Sequence, residues 1–265
     1  MSGVKSYTIK PYALVLGGSS GLGLATARKL AQEGYGLWIV HRDRGADREK
    51  IAARFDEIRK INPELITQNT DALHPQKIKE AIQEVLSTNP SLRLRVVVYS
   101  IAKGNVRYLV DQENASLGVT DFALTSEAMA FGLLRWVQML DNEELLLNPS
   151  SVIAFTSEGS RKAWPGYAAV GAAKAALESM VRSMALEYAS KGLRCNCVQA
   201  GVTKTPSSSL IPGFEQLAEE SKRRNPYGRL TLPEDVGNAV SLLVKEEALW
   251  INGAVIPVDG GESIR

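Results

Sequence analysis

The chain has 265 residues, 45% of them hydrophobic, with 31 basic and 29 acidic side chains and a net charge of +2. That apolar share supports a sizeable buried core, and the near-neutral balance gives no argument for a nucleic-acid partner or a membrane surface. No apolar run reaches the roughly 18 residues of a membrane span, and the opening MSGVKSYTIKP lacks the apolar core of a secretory leader, so a cytoplasmic protein is expected.

Short β-rich runs alternate with longer stretches of helical periodicity. This pattern implies an α/β fold, a doubly wound parallel sheet of seven strands in one domain. The pattern places strands near 12–16, 37–41, 65–70, 95–100, 151–156, 194–199 and 254–258. It places helices near 22–33, 46–60, 75–87, 120–140, 166–190 and 233–245. The dipeptides Asn62-Pro63 and Asn148-Pro149 read as turn punctuation. Residues 202–229 form the one long irregular stretch, and a loop of that length in a compact domain is usually a lid or binding loop.

The first strand runs into GGSSGLG, Gly17 to Gly23, and then a helix. Glycines at such a junction permit a tight turn and let backbone N–H groups meet a pyrophosphate at the helix N-terminus. Gly17, Ser19, Ser20, Gly21, Leu22 and Gly23 are therefore candidate cofactor-binding residues, although the spacing Gly17-x3-Gly21-x-Gly23 is not the commonest dinucleotide fingerprint. The second strand ends in VHRDRG, with no carboxylate at Val40, His41 or Arg42 to take a ribose diol. Arg42, with His41 and Arg44 beside it, offers charge-assisted partners for a 2′-phosphate, so NADPH is expected rather than NADH; a solvated basic turn is the plain alternative. Asp71, followed by Ala72, stands where a carboxylate could reach the adenine amino group. Ser100, Ile101 and Ala102 are small or apolar residues where a cofactor ribose would pass. No metal site is expected.

In YAAVGAAKAALE, Tyr167 and Lys174 stand seven residues apart at the start of a helix. Seven residues bring two side chains to within about 20° of each other, displaced by about 10.5 Å along the axis. Lys174 would bind the nicotinamide ribose and favour a more acidic Tyr167, whose hydroxyl would hydrogen-bond a developing oxyanion. The position four before Lys174 is Val170, which has no hydrogen to donate. Cys195 and Cys197 point the same way from one strand and read as reduced core thiols.

With Gly17-x3-Gly21-x-Gly23, Asp71, the Tyr167/Lys174 helix, GLRCNCVQAG, RLTLPEDVG and INGAVIPVDGG in view, the chain resembles the short-chain dehydrogenase/reductases over nearly its full length. Within them it is most similar to NADPH-dependent enoyl-[acyl-carrier-protein] reductases, through Ser100-Ile101-Ala102, the seven-residue spacing and the closing VIPVDGGESI. The resemblance implies reduction of a trans-2-enoyl thioester carried on acyl carrier protein or coenzyme A, and a homotetramer built on helices 120–140 and 166–190. It also implies that Thr203 and Thr205 hold the nicotinamide carboxamide and diphosphate. Ser157 falls where ordinary members of the superfamily keep a catalytic serine and many enoyl reductases a second tyrosine, so it fits either chemistry. No Asn lies between Ala115 and Leu140, where ketone reducers place a relay asparagine. A short-chain carbonyl (3-oxoacyl) reductase is the second reading, and a non-catalytic NADPH-binding regulatory protein the third. Lys222, Arg223 and Arg224 could meet an acidic carrier or a coenzyme A phosphate, or could be a solvated helix end.

Overall fold

The computed structural model describes residues 10–111 and 115–265; most of the N-terminal stretch that carried the leader argument lies outside them. The sheet has seven parallel strands in the order β3-β2-β1-β4-β5-β6-β7. In chain order these are β1 Tyr12–Leu16, β2 Gly36–His41, β3 Leu65–Asn69, β4 Leu94–Tyr99, β5 Leu146–Ser157, β6 Leu193–Ala200 and β7 Val255–Val258. Eight α-helices accompany them among the described residues: α1 Gly21–Gln32, α2 Arg48–Ile61, α3 Pro75–Thr88, α4 Val119–Ser126, α5 Gly132–Asn142, α6 Ala168–Glu187, α7 Phe214–Arg224 and α8 Pro233–Leu243.

Alternation along the strands divides the core into two layers. Leu14, Leu16, Trp38, Val97 and Val152 face α3, α5 and α6, where Trp136 meets Trp38 edge-on at 5.9 Å. Ala13, Val15, Ile39, Val98 and Ile153 face α1, α2 and α8. The strand order reverses between β1 and β4. In an open parallel sheet the carboxyl ends diverge at such a reversal and leave a crevice for a ligand.

Four elements differ from the sequence pattern. The irregular stretch 202–229 contains α7, whose Phe214, Ala218 and Ser221 recur at helical spacing and are buried. Pro212, Gly213 and the polar outer face masked that periodicity. The single helix expected over 120–140 is two, α4 and α5, joined by a π-helical turn at Glu127–Phe131. Asn148-Pro149 is not a turn between elements but a cis bond inside β5, where the pairing with β4 skips from Leu94↔Leu146 to Val96↔Ser151. Finally, α6 starts at Ala168, so Tyr167 is its N-cap and not a residue of its first turn.

Candidate active site

A cavity of about 710 Å³ opens at the carboxyl ends of the strands. It is lined by every residue singled out from the sequence as a catalytic or cofactor-binding candidate except Gly23. At its floor Gly17 has φ +87°, and a Cβ there would stand 2.7 Å from the carbonyl oxygen of Ser100. Only glycine combines that backbone with that approach. Helix α1 then begins with Ser20 as N-cap, which makes no side-chain capping bond, and with no acidic residue in the first turn. Its leading N–H groups are thus left for an anion, and a diphosphate suits such a cradle. Gly23 has a packing role. It does not line the cavity, and a Cβ on it would lie 2.3 Å from the Gly17 oxygen and 2.9 Å from Ser100 Oγ. Its bareness lets α1 pack against the turn.

The nucleoside end adds a pairing that the sequence does not show. Arg42 donates from Nη1 to Asp71 Oδ2 at 2.6 Å, while Asp71 Oδ1 accepts the Leu73 amide at 3.0 Å. The expected ligands of a 2′-phosphate and of an adenine amine are therefore engaged with each other. His41 is buried, its Nδ1 lies 2.6 Å from Asp43 Oδ2 and its ring packs edge-on against Phe55 at 5.2 Å. That leaves Arg44, which lines the cavity, is exposed and has no side-chain hydrogen-bond or ion-pair partner among the described residues. Ala72 is held from behind by the Trp136 indole N–H, which donates to its carbonyl at 2.8 Å.

At the centre, Tyr167 is 9% exposed, and its hydroxyl lies 3.2 Å from Ser157 Oγ at the end of β5. Burial pushes this phenol above its ordinary range, opposed by the Ser157 hydrogen bond. The expected acidification by Lys174 does not govern it: desolvation dominates. Lys174 is 6% exposed and donates from Nζ to the Phe155 carbonyl at 2.7 Å. Burial pulls its ammonium down to about 8, against upward pulls from Cys197 and Glu178. Glu178 is itself buried and accepts the Thr156 hydroxyl at 2.7 Å. Between tyrosine and lysine, Val170 faces the cavity with an apolar side chain. Both cysteines are buried free thiols, and burial raises each to about 12.

Thr203 donates its hydroxyl to the Gly201 carbonyl at 2.9 Å. Thr205 accepts the Ser208 amide at 3.1 Å, and its methyl sits against Gly21, where a Cβ would approach to 3.2 Å. The chain after β6 thereby packs onto the start of the phosphate cradle.

Outside the 202–229 segment, the far half of the cavity was not legible in the motifs. Val106, Met129, Trp164, Ile211, Phe214 and Leu217 give it an apolar wall, with the Trp164 and Tyr167 rings 5.4 Å apart. One local signal was available, an aromatic residue three positions before the tyrosine in AWPGY. The basic run is not a free patch either. Lys222 pairs with Glu219 at 2.5 Å, and Arg224 pairs with Glu262 at 2.8 Å and Glu158 at 3.3 Å. Only Arg223 of the three is without an ion pair among the described residues.

Known proteins are similar to this chain in sequence and fold. A family model described as enoyl-(acyl carrier protein) reductase matches residues 17–263. The chain is 28% identical over 256 residues to an NADPH-dependent aldehyde reductase-like chloroplastic protein of Arabidopsis thaliana, covering 94% of this chain and 93% of that one. It is 26% identical over 249 residues to a 3-oxoacyl-[acyl-carrier-protein] reductase of Staphylococcus epidermidis, covering 94% and 97%. An enoyl-[acyl-carrier-protein] reductase [NADH] of Aquifex aeolicus is 33% identical over 175 residues, 64% of this chain and 63% of that one. The crystal structure of the Aquifex aeolicus VF5 enoyl-[acyl-carrier-protein] reductase (NADH) superposes with a TM-score of 0.83 at 27% identity, covering 96% and 97%.

Proposed function

The chain belongs to the enoyl-(acyl carrier protein) reductase family of the short-chain dehydrogenase/reductase superfamily and is an oxidoreductase; within that family we propose that it uses NADPH to reduce the C2–C3 double bond of a trans-2-enoyl thioester. The observation that carries this reading is the pair of side chains facing the cavity from the start of α6. The hydroxyl belongs to Tyr167, and the position three residues nearer Lys174 is the mute Val170. In ketone reduction the carbon that receives hydride is bonded to the oxygen that receives the proton. In enoyl-thioester reduction the hydride goes to C3 while negative charge gathers on the thioester oxygen at C1, so the oxyanion donor must stand farther from the hydride source.

The cradle of Gly17, Ser19, Ser20 and the first amides of α1 would hold the diphosphate, with Arg44 offering the free guanidinium for a 2′-phosphate. When bound, the nicotinamide supplies hydride. Tyr167 would hydrogen-bond the thioester oxygen, an interaction that strengthens as negative charge develops there, and solvent would supply the proton that C2 takes up as the enolate collapses to the saturated thioester. Ser157, at hydrogen-bond distance, fixes the direction of that hydroxyl. Lys174 contributes a buried cation on the same helix and a donor for ribose hydroxyls. The apolar wall of Val106, Met129, Ile211 and Phe214 suits an acyl chain on acyl carrier protein or coenzyme A. A homotetramer through α4, α5 and α6 belongs to the same proposal, since Leu124, Phe131 and Leu186 stay exposed on those helices and the turn between them.

Carbonyl reduction is the second reading, favoured by the Ser157–Tyr167 pair, because two hydroxyls at 3.2 Å could grip one ketone oxygen. The experiment is a coenzyme-oxidation screen with crotonyl and acetoacetyl thioesters side by side, each with NADPH and NADH. Oxidation of NADPH by the crotonyl thioester is the expected result. Turnover of the acetoacetyl thioester alone would replace this reading with the second.

A further inference from the structure

Residues 202–229 carry one wall of the cavity, through Ile211, Phe214 and Leu217, and both ends of that segment return to the same side chain. Glu262, in the last turn of the described chain, is 3% exposed. One of its oxygens, Oε2, accepts the backbone amide of Val202 at 3.3 Å, where the segment leaves β6. The other, Oε1, accepts Arg224 Nη2 at 2.8 Å, at the last residue of α7. The same Arg224 nitrogen reaches Glu158 Oε2 at 3.3 Å, and Glu158 directly follows Ser157. Glu158 is further neutralised by Lys162. Two cavity-lining carboxylates thus share one guanidinium, whose side chain is 25% exposed against 4% and 11% for its partners.

Charges this far from water are costly unless paired, and an isolated surface ion pair would not hold a segment. Here the guanidinium is partly sheltered and its partners almost wholly so, which places the trio among the charge-assisted contacts that hold geometry. Otherwise α7 is anchored by a modest apolar face, Phe214 and Ala218, and by its C-cap Asn225, whose Nδ2 donates to the Asp259 carbonyl at 2.8 Å; its remaining residues are mostly polar. A helix of 11 residues is marginal by itself.

We propose that Glu262 and Arg224 form a clasp that closes both ends of the 202–229 segment over the cavity, and that they are positioning residues for substrate. Glu262 holds the entry and the exit, and Arg224 ties the exit to the strand end that bears Ser157. Through this clasp the apolar wall and the Ser157–Tyr167 pair keep a fixed separation, so its opening loosens substrate binding without touching the reacting atoms. The substrate it positions is the thioester of the function proposed above, but the clasp itself is testable without any turnover.

The test is amide hydrogen exchange on the full-length protein, comparing wild type with Arg224→Gln, Arg224→Lys and Glu262→Gln. Arg224→Gln should speed exchange across 214–224 by at least about tenfold, the equivalent of one charge-assisted contact, while amides near 202–206 and in β1 and β4 keep their protection. Glu262→Gln should speed exchange at both ends of the segment. Arg224→Lys, which retains one of the two pairs, should fall between wild type and Arg224→Gln. In steady state, Arg224→Gln should raise KM for the thioester that is turned over, with kcat and NADPH affinity within about threefold of wild type; the KM effect follows from loss of binding shared by ground and transition states. Unchanged exchange in 214–224 overturns the clasp. Acceleration spread equally over the core strands also overturns it, because it signals general destabilisation. Failure of the enoyl substrate leaves the exchange result standing, so the two ideas fail separately.

Discussion

The two halves of the cavity are built in opposite ways. The cofactor half is made of strand ends and short turns: the glycine turn between β1 and α1, the end of β2, and the residues after β3 and β4. The substrate half hangs on long connections, 101–118 before α4 and 202–229 with α7 inside it. The glycine turn of the first half is fixed by backbone contacts a side chain would block, at Gly17 and Gly23. The second is fixed by side-chain packing and by ion pairs between segments far apart in the chain. A dinucleotide is a constant ligand and can be met by rigid strand ends, whereas substrate identity sits on loops that tolerate change. The halves meet at Tyr167, where the proposed chemistry would occur.

The largest expected effect lies at that junction. Tyr167→Phe keeps the ring against Trp164 and removes only the hydroxyl. If that hydroxyl steadies the enolate, kcat for an enoyl thioester should fall by roughly 10²–10⁴ with NADPH affinity little changed. Stopped-flow titration of NADPH beside steady-state kinetics separates the two quantities; a variant of full activity would take Tyr167 out of the mechanism.

Next comes the cofactor half. Arg44→Ala should weaken NADPH roughly ten- to a hundredfold and leave NADH almost unaffected, since one charge-assisted phosphate contact is lost. Arg42→Ala sharpens the comparison. Because Arg42 is paired with Asp71, its loss frees that carboxylate, which should then repel a 2′-phosphate, so the NADPH/NADH preference should fall there too. An unchanged preference in both variants, measured by isothermal titration, removes the basic turn from coenzyme selection.

The effect farthest from turnover is on stability. Lys174 titrates near about 8 in the folded chain against an ordinary 10.5. Below about pH 8 both states carry the proton and the folded state bears the cost of a buried ammonium. Between about 8 and 10.5 the unfolded chain binds more protons, so this group adds stability as pH rises, and the gain is complete above 10.5. Compared with Lys174→Met, wild type should therefore gain on the order of 3 kcal/mol across that window. Urea unfolding of both proteins at pH 7.5, 9 and 10.5 checks it, and parallel pH curves would contradict it.

What the sequence made legible follows the same division. All seven strands, the glycine turn and the Tyr167/Lys174 pair could be read because each depends on residues close in the chain or on a strict period, whereas Ser157 was named through the family resemblance. The close packing of Gly23 on the Gly17 carbonyl was not legible, because the sequence cannot say whether a glycine faces a ligand or a neighbouring carbonyl. Arg42 and Asp71, 29 positions apart, were each matched to a ligand because their 2.6 Å pairing exists only once β2 and β3 lie side by side. Helix α7 escaped because polar residues on its outer face and the Pro212-Gly213 punctuation outweighed a short apolar stripe. Arg224 looked like part of a basic patch for the same reason, its partners Glu158 and Glu262 being remote in sequence.

The central claim is that the hydroxyl at Tyr167, with Val170 silent beside it, selects a conjugated double bond over a ketone. The most direct measurement is kcat/KM with NADPH for a trans-2-enoyl thioester and for the 3-oxoacyl thioester of equal chain length. The account predicts a preference for the enoyl substrate of at least about a hundredfold, equivalent to about 2.7 kcal/mol of transition-state discrimination. Comparable values for the two substrates would contradict it and make the protein a carbonyl reductase with a displaced tyrosine.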